Sequence, residues 1–326
     1  MVESRHRVHA AVVRADGTLV ASARDPQLTT WWRSCAKPFQ VMPFVRDGGL
    51  EQLGWGDDEL ALACGSHGGE PEHVALASAM LARIGLEEGD LACGPHEPLT
   101  PRGSRLLRES GHRLSRLHNN CSGKHAAMLA RAILSGEPTA DYERASHAVQ
   151  RAAKATVAEW AGLSSHAIVE GVDGCGVTVF GLPLANMALS YARLVTEAAR
   201  AGGPARRIVR AMTEQPFLVG GTDRFDTALM EACGGRVLCK IGAEGVHTLA
   251  LLDYGIGVAI KVEDGTPRAQ FPAVLALLDE FDVLPQALPE SLRDFAAQPV
   301  RNTRGESVGE IRVETAPNVL LDEERP

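Results

Sequence analysis

Lysine is what this chain most conspicuously lacks. Of 33 basic residues only five are lysines, at positions 37, 124, 154, 240 and 261; arginine is the cation everywhere else. The scarcity sharpens the question of why lysine is kept where it is. Arginine stays protonated at any pH a protein survives, whereas a lysine amine that is partly buried or set beside another cation can lose its proton and act as a base or a metal ligand. Other absences exclude whole classes. No run approaches the roughly 18 apolar residues of a spanning helix. The stretch "MVESRHRVHAAVV" carries charges where a secretory signal needs an apolar core, so the cytoplasm is the expected compartment. The seven cysteines are odd in number and form no C-x-x-C pair, which fits reduced thiols better than a disulfide framework. A net charge of -8 argues against nucleic acid or an anionic membrane as the main partner. No internal repeat, linker or low-complexity tract interrupts the sequence.

What is present suits an ordinary globular protein. With 326 residues and 45% hydrophobic content, the chain can bury a large core as one catalytic unit over residues 1–326, or as two interleaved subdomains. The stretch "RVHAAVVRADGTLVASAR" is two apolar runs around Asp16-Gly17, a hairpin signature. Helical spacing follows in "PEHVALASAMLARIGL", "KHAAMLARAIL", "DYERASHAVQRAAKATVAEW" and "PLANMALSYARLVTEAARAG". Strand-like runs return at "HAIVEGVDG", "VTVFG", "RVLCKIG", "HTLALLDYGIGVAIKVEDG" and "SVGEIRVE". Strands near both chain ends around a helix-rich middle, without regular β-α-β alternation, predict an α+β fold with an antiparallel sheet flanked by helices. The polar tail "LDEERP" is expected to fray.

Four stretches carry possible chemistry. In "WWRSCAKPFQ", Ser34 precedes Lys37 by one helical turn. A neutral amine so placed can take a proton as the hydroxyl attacks an acyl carbon, with nearby backbone N–H groups to hold the oxyanion. The bland reading is a helix cap followed by a surface lysine; the rarity of lysine weighs against it. In "CGSHGGEPEH", glycines surround Ser66-His67 and allow a tight turn that a small ligand approaches closely. In "NNCSGKHAAML", Cys121 and Lys124 can share the first turn of a helix. In "EGVDGCGVTVFG", Asp173 and Cys175 lie in a glycine-rich turn between two strands. By contrast, Lys154 on a polar helical face and Lys261 near Glu263 need no more than ordinary ion pairing.

Together with "GTDRFDTALM", "KIGAEGV", "GIGVAIKVEDGTPRA" and "RNTRGESVGEIR", these stretches make the chain resemble the rhizobial-type L-asparaginases, the asparaginase II family. That family's fold is similar to serine β-lactamases and glutaminases. The resemblance implies an amidohydrolase that converts L-asparagine to aspartate and ammonia through an acyl-serine. It implies Ser34 and Lys37 as one serine-lysine pair, with Ser34 the nucleophile, and Ser66 and Lys240 as a second pair. It also implies zinc held by Cys121, Lys124 and Cys175, with Asp173 close to the metal, and a homodimer. Arg33 is a candidate anchor for a substrate carboxylate, because its planar fork makes two hydrogen bonds; His67 is a further candidate for substrate binding. Asp223 departs from the pattern, since a small residue is expected there.

On residue chemistry alone the metal stays open. Two thiols without histidine match no familiar zinc spacing and an amine ligand is unusual, so buried structural thiols are the competing reading. Two other functions compete. A glutaminase or another S-x-x-K hydrolase is compatible with the opening motif, although S-D-N and K-T-G are both missing. A non-catalytic protein that binds a metal or an amino acid is the other.

Overall fold

The structure, a computed structural model, describes residues 1–200, 202–296 and 299–314; the "LDEERP" tail lies outside them. Its strands are β1 (Val8–Arg14), β2 (Leu19–Ala23), β3 (Thr29–Trp31), β4 (Val169–Val172), β5 (Thr178–Pro183), β6 (Val237–Ile241), β7 (Val246–Leu251), β8 (Ile256–Val262), β9 (Pro299–Arg301) and β10 (Ser307–Glu310). Thirteen α-helices among the described residues complete an α+β architecture. The chain divides into two compact units, each built from separate stretches of sequence.

The first unit comprises Met1–Cys35, Leu182–Thr196 and the described residues from Ala228 onward. Its main sheet has the order β2-β1-β8-β7-β6 and is antiparallel throughout. The expected hairpin joins β1 to β2: Gly17 takes φ +96, and the Thr18 amide donates to Asp16 Oδ1 at 2.8 Å. Ala10–Val13 and all of β7 are buried without alternation, so both faces of this sheet are covered. The helix Pro267–Asp279 packs against β1, β7 and β8. A second helix, beginning at Leu184, lies so close to β8 that a Cβ on Gly257 would sit 1.8 Å from the Ala188 carbonyl oxygen. The run "SVGEIRVE" behaves differently from the other apolar runs. Only Ser307–Glu310 is strand, all of it exposed, and it pairs with β9 in a separate two-stranded sheet.

The second unit, Ala36–Gly181 with Glu197–Thr227, is the helix-rich middle. At its centre runs the helix Lys37–Arg46, buried continuously from Lys37 to Val45. A helix buried on every side needs neighbours on every side. These are Asp57–Cys64, Ser122–Leu134, Ala148–Ala161 and Pro204–Glu214. The spacing in "DYERASHAVQRAAKATVAEW" suggests an earlier start than the helix takes. It begins at Ala148, where His147 caps it by accepting the Val149 amide at 3.2 Å, and Asp141–Ser146 form turns instead. Strands β4 and β5 form a hairpin whose turn holds Asp173 and Cys175. Among the described residues, no helix is long and apolar enough to cross a membrane.

The contact at Gly257 makes a test of this packing. An added methyl meets the backbone of Ala188 and Ala192, which cannot swing aside as a side chain would. Overpacking of this kind costs about 1–3 kcal/mol or more, against the roughly 0.5–1 kcal/mol that alanine gains over glycine in a regular element. Gly257→Ala is therefore expected to lower the thermal midpoint by several degrees. Gly94→Ala, where nothing lies within 4 Å of the new Cβ, should stay within about 0.5 kcal/mol of the wild type.

Candidate active site

In the first unit, the tryptophan-rich stretch folds into a single 3-10 turn, Arg33–Ala36. Trp32 anchors it: the ring is fully buried, stands edge-on to Tyr191 and donates from Nε1 to Thr248 Oγ1 at 3.0 Å. Tyr191 in turn donates to the Cys35 carbonyl at 2.9 Å. The Cys35 thiol donates to the carbonyl of Lys240 at 2.9 Å, and Gly242 has no Cβ because one would press on Cys35 and Trp32. These contacts dock the turn that carries Ser34 onto the end of β6, which carries Lys240. Ser34 is half-buried, whereas Lys240 is fully buried and donates from Nζ to the Ile241 carbonyl at 2.9 Å. Arg33 takes φ +53, a left-handed conformation uncommon for a bulky residue.

The boundary between the units falls inside S-x-x-K, between Cys35 and Ala36. Lys37 begins the central helix of the second unit and is fully buried. Its Nζ contacts three oxygens: the Gly65 carbonyl, the Asn120 carbonyl at 3.0 Å and Ser66 Oγ at 3.0 Å. Carbonyl oxygens can only accept. An amine so placed donates to all three oxygens when charged, and when neutral can donate to the two carbonyls and accept the Ser66 proton on its lone pair. Burial lowers the pKa of Lys37, an effect that the nearby Cys121 and Cys175 oppose and the charge on Lys124 reinforces. Ser66 itself is held by its amide, which donates to the Val219 carbonyl at 2.8 Å.

A thiol and amine cluster adjoins this pair. Cys121 precedes the helix Ser122–Leu134, Lys124 lies in its first turn, and Cys175 comes from the β4–β5 turn; all three are buried. Gly123 permits the close approach, since a Cβ there would meet the Leu62 carbonyl oxygen at 2.6 Å. Lys124 Nζ lies 3.2 Å from Cys175 Sγ. A hydrogen bond between the two thiols pushes Cys121 up to about 12 and holds Cys175 well below the ordinary thiol value, where the Lys124 charge also favours the thiolate. Burial opposes the charge on Lys124 itself, but Cys175, Cys121 and Asp173 outweigh it and raise its pKa. Two buried lysines in one unit are thus driven in opposite directions. The cluster brings two sulfurs and a nitrogen together with a carboxylate nearby, a donor set that suits zinc provided the Cys121 thiol and the Lys124 amine release their protons as it binds.

Asp173 occupies the β4–β5 turn, where Oδ1 accepts the Gly174 amide at 2.9 Å. His67 has less freedom than its place beside Ser66 suggests. The Gly69 amide donates to Nδ1 at 3.2 Å, so Nε2 bears the proton and donates to Ser122 Oγ at 2.9 Å, which donates to the Leu117 carbonyl at 3.0 Å. Burial and the neighbouring His73, stacked at 5.1 Å, hold the imidazole neutral. Asp223, where a small residue is expected, takes φ +56; aspartate is among the few side chains that tolerate the left-handed region. Each unit by itself therefore gathers part of the sequence-predicted set: Arg33, Ser34 and Lys240 in the first, and Lys37, Ser66, His67, Cys121, Lys124, Asp173 and Cys175 in the second. Sequence reasoning missed Glu70, whose buried carboxylate accepts from Thr222 and Arg102. The one local signal was a glutamate just ahead of Pro71, where a helix begins.

A sequence search finds no match among curated proteins. Among solved structures, a β-lactamase from Mycobacterium bovis superimposes with a TM-score of 0.42 at 12% identity, over 84% of this chain and 95% of that one. An octameric penicillin-binding protein homologue from Pyrococcus abyssi gives a TM-score of 0.35 at 12% identity, over 85% of this chain and 75% of that one. The sequence model of the L-asparaginase II family matches residues 1–313. With nearly its whole length matched, the chain belongs to the L-asparaginase II family, hydrolases of the asparagine side-chain amide.

Proposed function

We propose that the reaction proceeds through an acyl-serine, with Ser34 as acyl acceptor and Lys37 as the base. The observation that supports this most directly is the Lys37 amine, taken wholly out of water and bounded by two carbonyls and the Ser66 hydroxyl. As Ser34 Oγ attacks the amide carbon, its proton is taken up by the Lys37–Ser66 pair, with Lys37 as the base. Lys37 then returns that proton to the departing nitrogen as the C–N bond breaks and ammonia leaves. Water cleaves the ester by the same route in reverse, releasing aspartate and restoring Ser34. Ser34, half-buried, is open to a substrate, whereas Ser66 is only 3% exposed. Arg33 suits the substrate carboxylate and Asp173 its ammonium. Lys240 is a second buried amine beside the Ser34 turn. The Lys37–Ser66 contact also favours a second reading, in which Ser66 itself attacks and Ser34 orients the substrate. Glutamine differs by one methylene, worth about 1–3 kcal/mol in a pocket, so it is expected to be a weaker substrate rather than an excluded one.

Zinc held by Cys121, Lys124 and Cys175 belongs to the same proposal. A cation there adds positive charge near Lys37 and favours its neutral form. The chain's own residues do the proton transfer. A homodimer is our reading of its assembly, from the family resemblance.

Three outcomes test the proposal. Ser34→Ala should abolish ammonia release from asparagine while the far-ultraviolet circular dichroism stays unchanged; a Ser34→Ala enzyme that still forms an acyl adduct, seen by mass spectrometry on Ser66, would establish the second reading. Lys37→Arg keeps the charge but supplies no neutral amine, so it should lose as much as Lys37→Ala, on the order of 10²–10⁴-fold in kcat. For pH, the sign follows from the lowered pKa of Lys37: the protonated amine is inactive, so kcat/KM rises as pH climbs through that value and levels off earlier than an ordinary lysine at 10.5 would allow. A maximum in mildly acidic solution rules out amine catalysis.

The metal has its own test. Protein prepared without chelators should carry close to one zinc per chain by elemental analysis, and Cys121→Ser or Cys175→Ser should remove most of it. Chelation should raise KM more than it lowers kcat, because the metal ties a helix start to the β4–β5 turn while Ser34 and Lys37 remain in place. Metal-free protein with full activity defeats the zinc assignment.

A further inference from the structure

Glu70 is a fully buried carboxylate that the reaction as described does not use. Removing a carboxylate from water is costly unless donors replace the water, and here three donors converge on it. The Thr222 amide donates to Oε1 at 2.7 Å, Thr222 Oγ1 donates to Oε2 at 2.8 Å, and the Arg102 guanidinium donates to Oε2. Burial disfavours the ionised form, but Arg102 and Thr222 more than offset it and lower the pKa of Glu70.

These bonds lie along a seam between two backbone segments of the second unit. The turn bearing Ser66 runs from Gly65 to Glu70, and beside it lies the segment from Phe217 to Thr222. At one end the Ser66 amide donates to the Val219 carbonyl at 2.8 Å. At the other, Thr222 donates twice to Glu70. Between them Gly221, at φ +107, rests against Gly68: a Cβ on Gly221 would lie 3.1 Å from Gly68 Cα and 2.8 Å from Glu70 Oε1. His73 adds a further tie, with Nδ1 accepting the Glu70 amide at 3.2 Å and Nε2 donating to the Phe217 carbonyl at 2.9 Å. The seam is therefore closed by backbone at Ser66 and by side chain at Glu70.

We propose that Glu70 is a positioning residue that, by gripping Thr222, keeps the Val219 carbonyl on the Ser66 amide and so holds Ser66 Oγ at hydrogen-bond distance from Lys37. This rests on the proposed Lys37–Ser66 proton path. A carboxylate is required because all three partners are donors: glutamine at this site turns an NH2 toward a donor and leaves one partner unmatched. Small displacements at such a contact are expensive, since a misplacement of about 1 Å can cost on the order of 10²-fold in rate.

The experiment compares Glu70→Gln, Thr222→Val and Thr222→Ser with Ser66→Ala, reading kcat and KM for asparagine per folded molecule and the hydrogen exchange of the Ser66 amide. Glu70→Gln is expected to lower kcat by on the order of 10–10²-fold, with KM changed less than about threefold and faster exchange at Ser66. Thr222→Val loses the hydroxyl bond but keeps the amide bond, and should fall between Glu70→Gln and wild type. Thr222→Ser keeps both bonds and should restore kcat, which a purely structural contribution to stability would not separate from Thr222→Val. If Glu70→Gln does not fold, the valine–serine pair decides alone. Unchanged kcat and unchanged Ser66 exchange in Thr222→Val, alongside an inactive Ser66→Ala, overturn the positioning role. A Ser66→Ala enzyme with near-normal kcat instead overturns the Lys37–Ser66 path, and the exchange rates still show whether Glu70 fixes the turn.

Discussion

An amine moved wholly out of water must either keep its charge beside an anion or give up its proton, and the second unit contains one lysine of each kind. Lys124 faces the Cys175 thiolate and a nearby carboxylate, which hold its charge until a metal ion takes the place of the proton; Lys37 faces two carbonyls and a hydroxyl, and burial presses it toward neutrality. The positive charge on the first makes the second easier to deprotonate. The state of Lys37 thus depends in part on Lys124, and the fold must seal both from solvent. The all-round burial of the Lys37–Arg46 helix and the missing Cβ of Gly123 serve that requirement.

The amino-acid pattern carried the parts of this arrangement that are local or chemically unusual. Five lysines among 33 basic residues drew attention to positions 37, 124 and 240, and all three are buried. The β1–β2 hairpin was legible because its turn chemistry, Asp16 followed by Gly17, is complete within four residues. The main sheet was legible as a set of apolar runs, whose order could not be read because pairing between strands distant in sequence leaves no local mark.

Non-local partnerships account for what was missed. The contact between Lys37 and Ser66, 29 positions apart, is one that the local S-x-x-K spacing could not show. Glu70 and Thr222 are separated by 152 residues and neither is unusual in its own neighbourhood. His67 looked available because it adjoins a serine among glycines, yet the Gly69 amide engages one ring nitrogen and the Ser122 hydroxyl, 55 positions away, the other. The C-terminal apolar run resembled the strands of the main sheet in composition, but Ser307–Glu310 is exposed and, among the described residues, pairs with β9 alone. Alternation in sequence indicates which faces differ, not whether anything covers them.

None of the seven cysteines is in a disulfide and all are buried, and this makes the protein a recorder of its own openings. A thiol reagent in solution reaches a buried sulfur only when the surrounding structure parts, so the rate of modification at each position measures the free energy of that local opening. Cys121 and Cys175 report on the loosening of the helix start and the β4–β5 turn. Cys35, whose thiol is bonded to the Lys240 carbonyl, reports on the parting of the Ser34 turn from β6. Cys64, at the end of a helix packed on the central one, reports on the helical core. A chain with almost no disposable lysines for chemical labelling carries, in its thiols, a set of probes distributed over both of its units.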